Sequence, residues 1–278
     1  MAGLRPVTRL VVAAGQAVPV PGDVAANVAR AADLARQAAA RGARLLVLPE
    51  AFLTGYDPAA FAPDALAAAP HEGDLAGAWA EPLRTAAGET GVSVLVCTPL
   101  RRAEGTTLTL LLVSPDGSVE AVYDKQHVDR SEAEWFRAGG PGTAVLEVDG
   151  VRLGLAVCYD SRFPEHAAAA AAAGADAYVV SAAYLEGSTL GRDVALPARA
   201  LDNGVYVVVA GALGACGGVP LTGGSAVLDP EGRRIAGVAD DDGAMALAVL
   251  DTEVLAEVRA RQTMAADRLL PASGDGAA

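Results

Sequence analysis

Short apolar runs alternate with a long alanine-rich segment in the N-terminal third of the chain, and this alternation constrains the fold most. Residues 9–14 and 45–48 are runs of strand-forming residues. Residues 23–41, between them, have the spacing of an amphipathic helix, which Gly42 is placed to end. Strand, helix and strand in this order predict layered α/β structure.

The same rhythm continues along the chain, with an antiparallel interruption in the middle. Residues 107–123 are predicted to form two strands joined by a turn at 115–117. Further helices are predicted at 81–87, 165–174, 194–201 and 253–261, and further strands at 92–98, 151–158, 177–182, 205–210, 225–228 and 244–250. Because no linker-like composition separates these segments, we predict one domain over residues 1–265 and a flexible tail over 266–278.

Charge and cysteine content exclude several functional classes. The chain has 21 Lys and Arg against 34 Asp and Glu, a net charge of −13, which disfavours binding to nucleic acid or to an anionic membrane surface. Cys97, Cys158 and Cys216 are far apart, so neither a disulfide framework nor a thiolate metal site is expected. Glycines and Pro220 interrupt the uncharged stretch 203–228, which therefore does not predict a membrane span. These features favour a reducing, cytoplasmic location.

Reactive side chains stand at the ends of three predicted strands. Glu50, Lys125 and Cys158 each follow an apolar run, and strand ends of layered α/β folds hold catalytic groups rigidly. Taken singly, Cys158 is typical of a core thiol, and Glu50 and Lys125 are typical of solvated loop charges. Cys97 and Cys216 have no charged neighbours in sequence and are interpreted as structural. The coincidence of the three strand ends predicts one site.

The segments around these residues resemble the blocks of a known superfamily. They read Leu-Pro-Glu-Ala-Phe-Leu-Thr-Gly-Tyr at 48–56, Tyr-Asp-Lys-Gln-His at 123–127 and Val-Cys-Tyr-Asp-Ser-Arg-Phe-Pro-Glu at 157–165. In this order they resemble the nitrilase, or carbon–nitrogen hydrolase, superfamily. The resemblance implies a four-layer αββα sandwich with mixed sheets, no metal or organic cofactor, a small-molecule amide substrate and a homodimer or higher homo-oligomer.

The resemblance also implies a role for each site residue. Glu50 would take the proton of the Cys158 thiol, and Lys125 with the backbone N–H of Tyr159 would stabilise the oxyanion. A second glutamate would hold Lys125; Glu132 is favoured over Glu134 by its spacing to Trp135-Phe136. A papain-like pairing of Cys158 with a histidine is the competing mechanism, with His71, His127 and His166 as candidates.

The residues after the nucleophile indicate the substrate. Cys158-Tyr159-Asp160 resembles amidase branches more than nitrilases, in which Trp-Glu follows the cysteine. Arg162 could pair with a carboxylate of the substrate, or with Glu165 in a structural salt bridge. Tyr159, Arg162 and Tyr184 are the predicted substrate-binding residues, although Ser-Ala-Ala-Tyr at 181–184 and Ala-Gly at 210–211 depart from the family pattern. A nitrilase, an N-carbamoyl amine hydrolase and a catalytically silent binding protein are the alternatives to an amidase.

Overall fold

Two six-stranded sheets form the body of the computed structural model, which describes residues 6–267. The strands are β1 Arg9–Gly15, β2 Leu45–Val47, β3 Ser93–Arg102, β4 Gly105–Val113, β5 Val119–Asp124, β6 Val145–Val148, β7 Val151–Val157, β8 Ala177–Ala182, β9 Tyr206–Gly211, β10 Leu213–Cys216, β11 Val219–Thr222, β12 Ala226–Leu228, β13 Arg234–Gly237 and β14 Met245–Asp251. The helices are α1 Val24–Ala40, α2 Pro58–Phe61, α3 Pro63–Leu66, α4 Glu81–Thr90, α5 Pro164–Ala172, α6 Leu196–Asn203, α7 Thr252–Arg261 and α8 Met264–Asp267.

Both large sheets are mixed. The first has the order β14-β1-β2-β3-β4-β5, with parallel pairs β1–β2 and β2–β3 and antiparallel pairs elsewhere. The second has the order β13-β12-β9-β8-β7-β6, with parallel pairs β7–β8 and β8–β9. Helices join the parallel strands, because the chain must return to the starting end of the sheet before the next parallel strand can begin.

The layers follow from which face of each strand is apolar. Alternate residues of β7, including Leu153 and Leu155, pack with residues of β1–β4 in the core between the two sheets. Helices α1 and α4 cover the outer face of the first sheet, and α5 and α6 cover that of the second. The resulting order is helices, sheet, sheet, helices, which confirms the predicted αββα sandwich.

A close backbone approach seats α5 on the second sheet. A Cβ on Gly154 of β7 would lie 2.6 Å from the Cβ of Ala170 in α5, so only glycine fits there. The alanine-rich sequence of α5 therefore brings this helix close to the strand that leads into Cys158.

Several predicted boundaries were wrong. The helix predicted at 194–201 begins at Leu196, after a π-helical turn over Gly191–Ala195, because Pro197 fits the first turn of an α-helix but not its interior. Strands β6, β10, β11 and β13 were not predicted. The division into one domain over residues 1–265 and a tail over 266–278 stays a prediction; α8 spans Met264–Asp267, and residues 268–278 lie outside the described residues. Within residues 6–267, no helix has the length and apolar character needed to cross a membrane.

Candidate active site

Glu50, Lys125 and Cys158 lie just beyond the ends of three strands from the two facing sheets. Glu50 follows β2 and Lys125 follows β5 in the first sheet, whereas Cys158 follows β7 in the second. Lys125 Nζ donates to Glu50 Oε1 at 2.7 Å, and both side chains are almost fully buried. The structure thus brings together three residues that are 75 and 33 positions apart in sequence.

A second glutamate completes the surroundings of Lys125. Its Nζ donates to both oxygens of Glu132, at 2.8 and 2.7 Å, and Tyr56 donates its hydroxyl proton to Glu132 Oε1 at 2.6 Å. Glu134, the rival in the sequence, is exposed. Of the two candidate glutamates, the structure therefore places Glu132 beside Lys125.

Cys158 stands on a strained turn between β7 and a short 3₁₀ helix over Cys158–Arg162. Its backbone φ of +40° lies in the left-handed region that residues other than glycine rarely adopt. Ala51, directly after Glu50, has a similar φ of +48°. Such strain persists where surrounding structure enforces it. Here Ser161 Oγ donates to the Cys158 carbonyl at 2.6 Å, and the Cys158 thiol lies 3.9 Å from the Ala183 carbonyl oxygen.

Burial dominates the ionisation of Glu50. Burial raises the pKa of the Glu50 carboxyl from 4.5 to about 7. The Lys125 ammonium and the Cys158 thiol lower this pKa, whereas the Glu132 charge raises it further. One carboxylate oxygen is bound to Lys125, while Oε2 is buried with no hydrogen-bond partner among residues 6–267. Glu50 is therefore a carboxyl that exchanges its proton near neutral pH and has one oxygen free to do so.

The other two groups both keep their protons, Lys125 as a cation and Cys158 as a neutral thiol. Burial by itself would lower the pKa of Lys125, but Glu50 and Glu132 raise it above its usual value, so the ammonium stays protonated. Burial and the Glu50 charge raise the pKa of the Cys158 thiol well above its usual value, although Lys125 works in the other direction. The resting site thus contains a thiol, an ammonium and a carboxyl with a pKa near neutrality.

Asp160 joins the turn that carries Cys158 to the loop that carries Lys125. Its buried carboxylate accepts from the Val157 N–H at 3.0 Å, from the His127 N–H at 2.8 Å and from the Tyr123 hydroxyl at 2.7 Å, and it contacts His127 Nδ1 at 2.8 Å. His127 is two residues after Lys125, and Asp160 is two residues after Cys158. The carboxylate therefore fixes the separation of the two loops.

A row of aromatic side chains continues this network into α5 and β8. Because the Tyr123 proton goes to Asp160, the Tyr123 oxygen accepts from His166 Nε2 at 2.9 Å, and His166 Nδ1 accepts from the Tyr178 hydroxyl at 2.8 Å. Burial lowers the pKa of His166, which agrees with this neutral ring. His127 stacks on Phe163 with ring centroids 3.9 Å apart.

The histidines do not form a papain-like pair with Cys158. His127 and His166 belong to the Asp160 network, and His71 is exposed, where its Nδ1 accepts from the Gly73 N–H. In the part of the chain that the structure describes, no hydrogen bond joins a histidine to the Cys158 thiol. No cluster of three or more His, Cys, Asp or Glu in residues 6–267 has the geometry of a metal site.

The predicted substrate-binding residues occupy different places. Tyr184 is buried, and its ring packs in the cluster of side chains that contacts Cys158. Tyr159 is 36% exposed and packs edge-on against Phe163, and its backbone N–H lies in the first turn of the 3₁₀ helix, where such groups have no helical acceptor. Arg162 is exposed, and its side chain lies so close to Gly191 that any larger residue at position 191 would collide with it. Among the described residues, Arg162 forms no ion pair with Glu165.

Comparisons with known proteins agree with this geometry. The family described as Carbon-nitrogen hydrolase matches residues 11–260. The chain belongs to the carbon-nitrogen hydrolase family. As a carbon-nitrogen hydrolase it is an enzyme and not a catalytically silent binding protein. Its similarity to amidases indicates an amidase-like hydrolase of C–N bonds.

Similar proteins cover almost the whole carbon-nitrogen hydrolase chain. "Hydrolase in pqqF 5'region" of Pseudomonas protegens is 34% identical over 259 residues, which are 92% of this chain and 88% of that protein. Deaminated glutathione amidase of Escherichia coli O157:H7 is 32% identical over 254 residues, with 84% and 88% covered. A crystal structure of an amidase from Nesterenkonia sp. has a TM-score of 0.77 and 30% identity, and covers 91% of this chain and 95% of its own.

Three residues that support the site of this carbon-nitrogen hydrolase were given no role by the sequence. Tyr56 holds Glu132, and Asp160 holds both loops. Ser181 of β8 donates to the Leu48 carbonyl at 2.7 Å and so ties the second sheet to the strand end that leads into Glu50. Tyr56 and Asp160 stand inside the recognised blocks, which is the signal that could have found them.

Replacing Asp160 with asparagine is expected to lower kcat about 100-fold, because an amide cannot accept from the same set of donors and the two loops lose their fixed separation. KM should change much less than kcat, and Tm should fall. Steady-state kinetics and thermal melting measure these effects, with Asp149→Asn, at an exposed ion pair to Arg44, as the control. A lowered Tm with kcat unchanged would show that Asp160 stabilises the fold without positioning the loops.

Proposed function

We propose that this enzyme hydrolyses the amide of a small substrate through a thioester on Cys158, with release of ammonia or an amine. The observation that supports it most is the buried set formed by Glu50, Lys125 and Glu132 beside the thiol. A pKa near neutrality allows Glu50 to accept and return a proton at each step.

The first half of the reaction forms the acyl-enzyme. Glu50 Oε2 takes the thiol proton as Cys158 Sγ attacks the amide carbon, and the carbonyl oxygen becomes an oxyanion. The thiol pKa is raised, so the proton leaves during the attack and not before it. Lys125 Nζ and the Tyr159 N–H stabilise the oxyanion. Glu50 then gives the proton to the nitrogen as the C–N bond breaks, and ammonia or an amine leaves.

The second half regenerates the thiol. Glu50 takes a proton from water while the water oxygen attacks the thioester carbon, and the same donors hold the new oxyanion. When this intermediate collapses, the C–S bond breaks and Glu50 returns the proton to the Cys158 sulfur. Amide and water are consumed, and a carboxylic acid and ammonia or amine are produced. Glu132 keeps Lys125 in place throughout.

Relatives support an amide as the substrate. Mutants of the Nesterenkonia amidase have been solved with butyramide bound and, in another structure, with acrylamide joined to the active site cysteine by Michael addition. Other relatives are named (R)-stereoselective amidase, of Pseudomonas sp., and 2-oxoglutaramate amidase, of Bacillus subtilis. A substrate with a carboxylate bound by Arg162, a homo-oligomer and a cytoplasmic location stay predictions.

Product release from matched substrates tests this function. Ammonia release is measured on short primary amides, on the corresponding nitriles and on N-carbamoyl amines. The proposal expects turnover of at least one amide at a kcat/KM well above that for the nitrile with the same acyl chain. Preferred turnover of nitriles or carbamoyl compounds would assign one of the alternatives instead.

Treatment with a chelator is expected to leave the rate unchanged. The nucleophile, the base and the oxyanion donors are all supplied by the chain in this mechanism. Ammonia release is compared before and after dialysis against EDTA, with a zinc-dependent hydrolase as the positive control. A loss of rate that added zinc restores would contradict the mechanism.

A further inference from the structure

Two buried side-chain polar atoms have no hydrogen-bond partner among residues 6–267. They are Glu50 Oε2 and the Tyr184 hydroxyl. Buried polar groups are nearly always paired, so an unpaired one in a native structure needs an explanation. The mechanism uses Glu50 Oε2 for proton transfer, but it gives the Tyr184 hydroxyl no role.

The Tyr184 phenol belongs to the same site. Its residue follows β8, directly after Ala183, whose carbonyl oxygen is 3.9 Å from the Cys158 sulfur. The Tyr184 ring and the Cys158 side chain also pack in the same buried cluster. The hydroxyl therefore lies on the nucleophile's side of the site, and the side chain is only 5% exposed.

Neighbouring groups are engaged elsewhere and do not satisfy this hydroxyl. Ser161 is close enough to lower the Tyr184 pKa, yet the pair lacks hydrogen-bond geometry and Ser161 donates to the Cys158 carbonyl. Arg192 donates to the Thr222 oxygens and the Gly223 carbonyl and pairs with Asp193. Burial raises the Tyr184 pKa above its usual value, so the phenol remains a neutral donor at physiological pH.

Hydrogen bonds from the β10–β11 hairpin hold Tyr184 in this position. The Thr222 N–H and hydroxyl both donate to the Tyr184 carbonyl, at 2.8 and 3.0 Å. The hairpin itself packs through Leu221 against Ala183, Leu185 and Tyr56. The Tyr184 ring packs instead among the buried apolar side chains beneath α5 and α6, in a cluster that also contacts Cys158. A fixed donor among apolar side chains can recognise a single acceptor atom, because these neighbours offer no competing polar partner.

We propose that the Tyr184 hydroxyl donates a hydrogen bond to an uncharged oxygen on the acyl chain of the substrate, close to the scissile carbonyl. The enzyme then favours amides of short acids that carry a hydroxyl or keto oxygen. This inference rests on the proposed amidase function. An uncharged acceptor fits because two carboxylates, Glu50 and Glu132, face a single ammonium, Lys125, at the site.

Matched substrates and a matched variant test the proposal. We compare kcat/KM of the wild type and of Tyr184→Phe on propanamide, 2-hydroxypropanamide, 2-oxopropanamide and 3-hydroxypropanamide. The variant is expected to lose about tenfold on at least one oxygen-bearing amide, because one neutral hydrogen bond is lost, and to change on propanamide by about twofold or less. Tyr206→Phe is the control, since it removes another buried phenol, at the start of β9, whose hydrogen bonds among the described residues go to the Asp251 backbone.

The outcomes separate the two proposals. An equal loss on all four amides, or no loss on any of them, overturns the role of Tyr184 and leaves the amidase function in place. A wild type that turns over none of these amides, nor any in the wider panel, overturns the amidase function itself. Tm of both tyrosine variants shows whether a loss of folding contributes to the rates.

Discussion

Cys158→Ala is expected to abolish ammonia release, with a fall in kcat of at least about 10⁴-fold, because no other group in the site can form the thioester. The fold should survive, since the side chain is small and the strained φ of +40° is imposed by the surrounding turn on either residue. Ammonia release and thermal melting are measured on the same preparation. Mass spectrometry of the wild type with a slow substrate should show the acyl group on Cys158.

Cys97→Ala is the matched control for this experiment. Cys97 is fully buried in β3, where burial raises its thiol pKa above the usual value, and it belongs to the core between the sheets. Its replacement should lower stability by about 1 kcal/mol while leaving kcat/KM nearly unchanged. Activity of Cys158→Ala within tenfold of the wild type would remove Cys158 as the nucleophile.

Glu50→Gln is expected to lower kcat/KM by about 10²–10⁴-fold, because glutamine keeps the shape of the side chain but cannot accept the thiol proton. Lys125 retains both bonds to Glu132, so the variant should fold. Glu134→Gln removes a charge of the same kind from the surface and should leave the rate unchanged.

The pH dependence of the wild type reports on the same carboxyl. Burial raises the pKa of Glu50 to about 7, so below this pH the group is protonated and cannot accept from Cys158, whereas above it the carboxylate is available. kcat/KM should therefore rise with pH through about 7. Glu50→Gln should lose this rise along with most of its activity. A wild-type profile that stays flat from pH 5 to 8 would contradict the role of Glu50 as base.

Helices and strands were predictable where a long stretch of sequence has regularly spaced apolar residues. Helix α1 and strands β1, β8 and β14 were found within a residue or two of their ends, because α1 buries one continuous face and the strands are nearly uninterrupted apolar runs. Strands β10 and β11 were missed because glycines and Pro220 dominate their stretch. The two strands pair with each other as a hairpin, and β11 pairs further with residues 184–186. Strand β13 was missed because it is mostly exposed and, as an edge strand, pairs only with β12 in its own sheet.

The sequence by itself determined which reactive side chains form the candidate site and that each follows a strand. Both conclusions depend only on short local stretches of sequence. Glu50, Lys125 and Cys158 were identifiable in this way. Only the tertiary structure decided what depends on distance across the two sheets: Glu132 lies beside Lys125 while Glu134 is exposed. Burial, which no local pattern specifies, raised the Glu50 pKa to about 7 and left the Tyr184 hydroxyl unpaired beside the nucleophile.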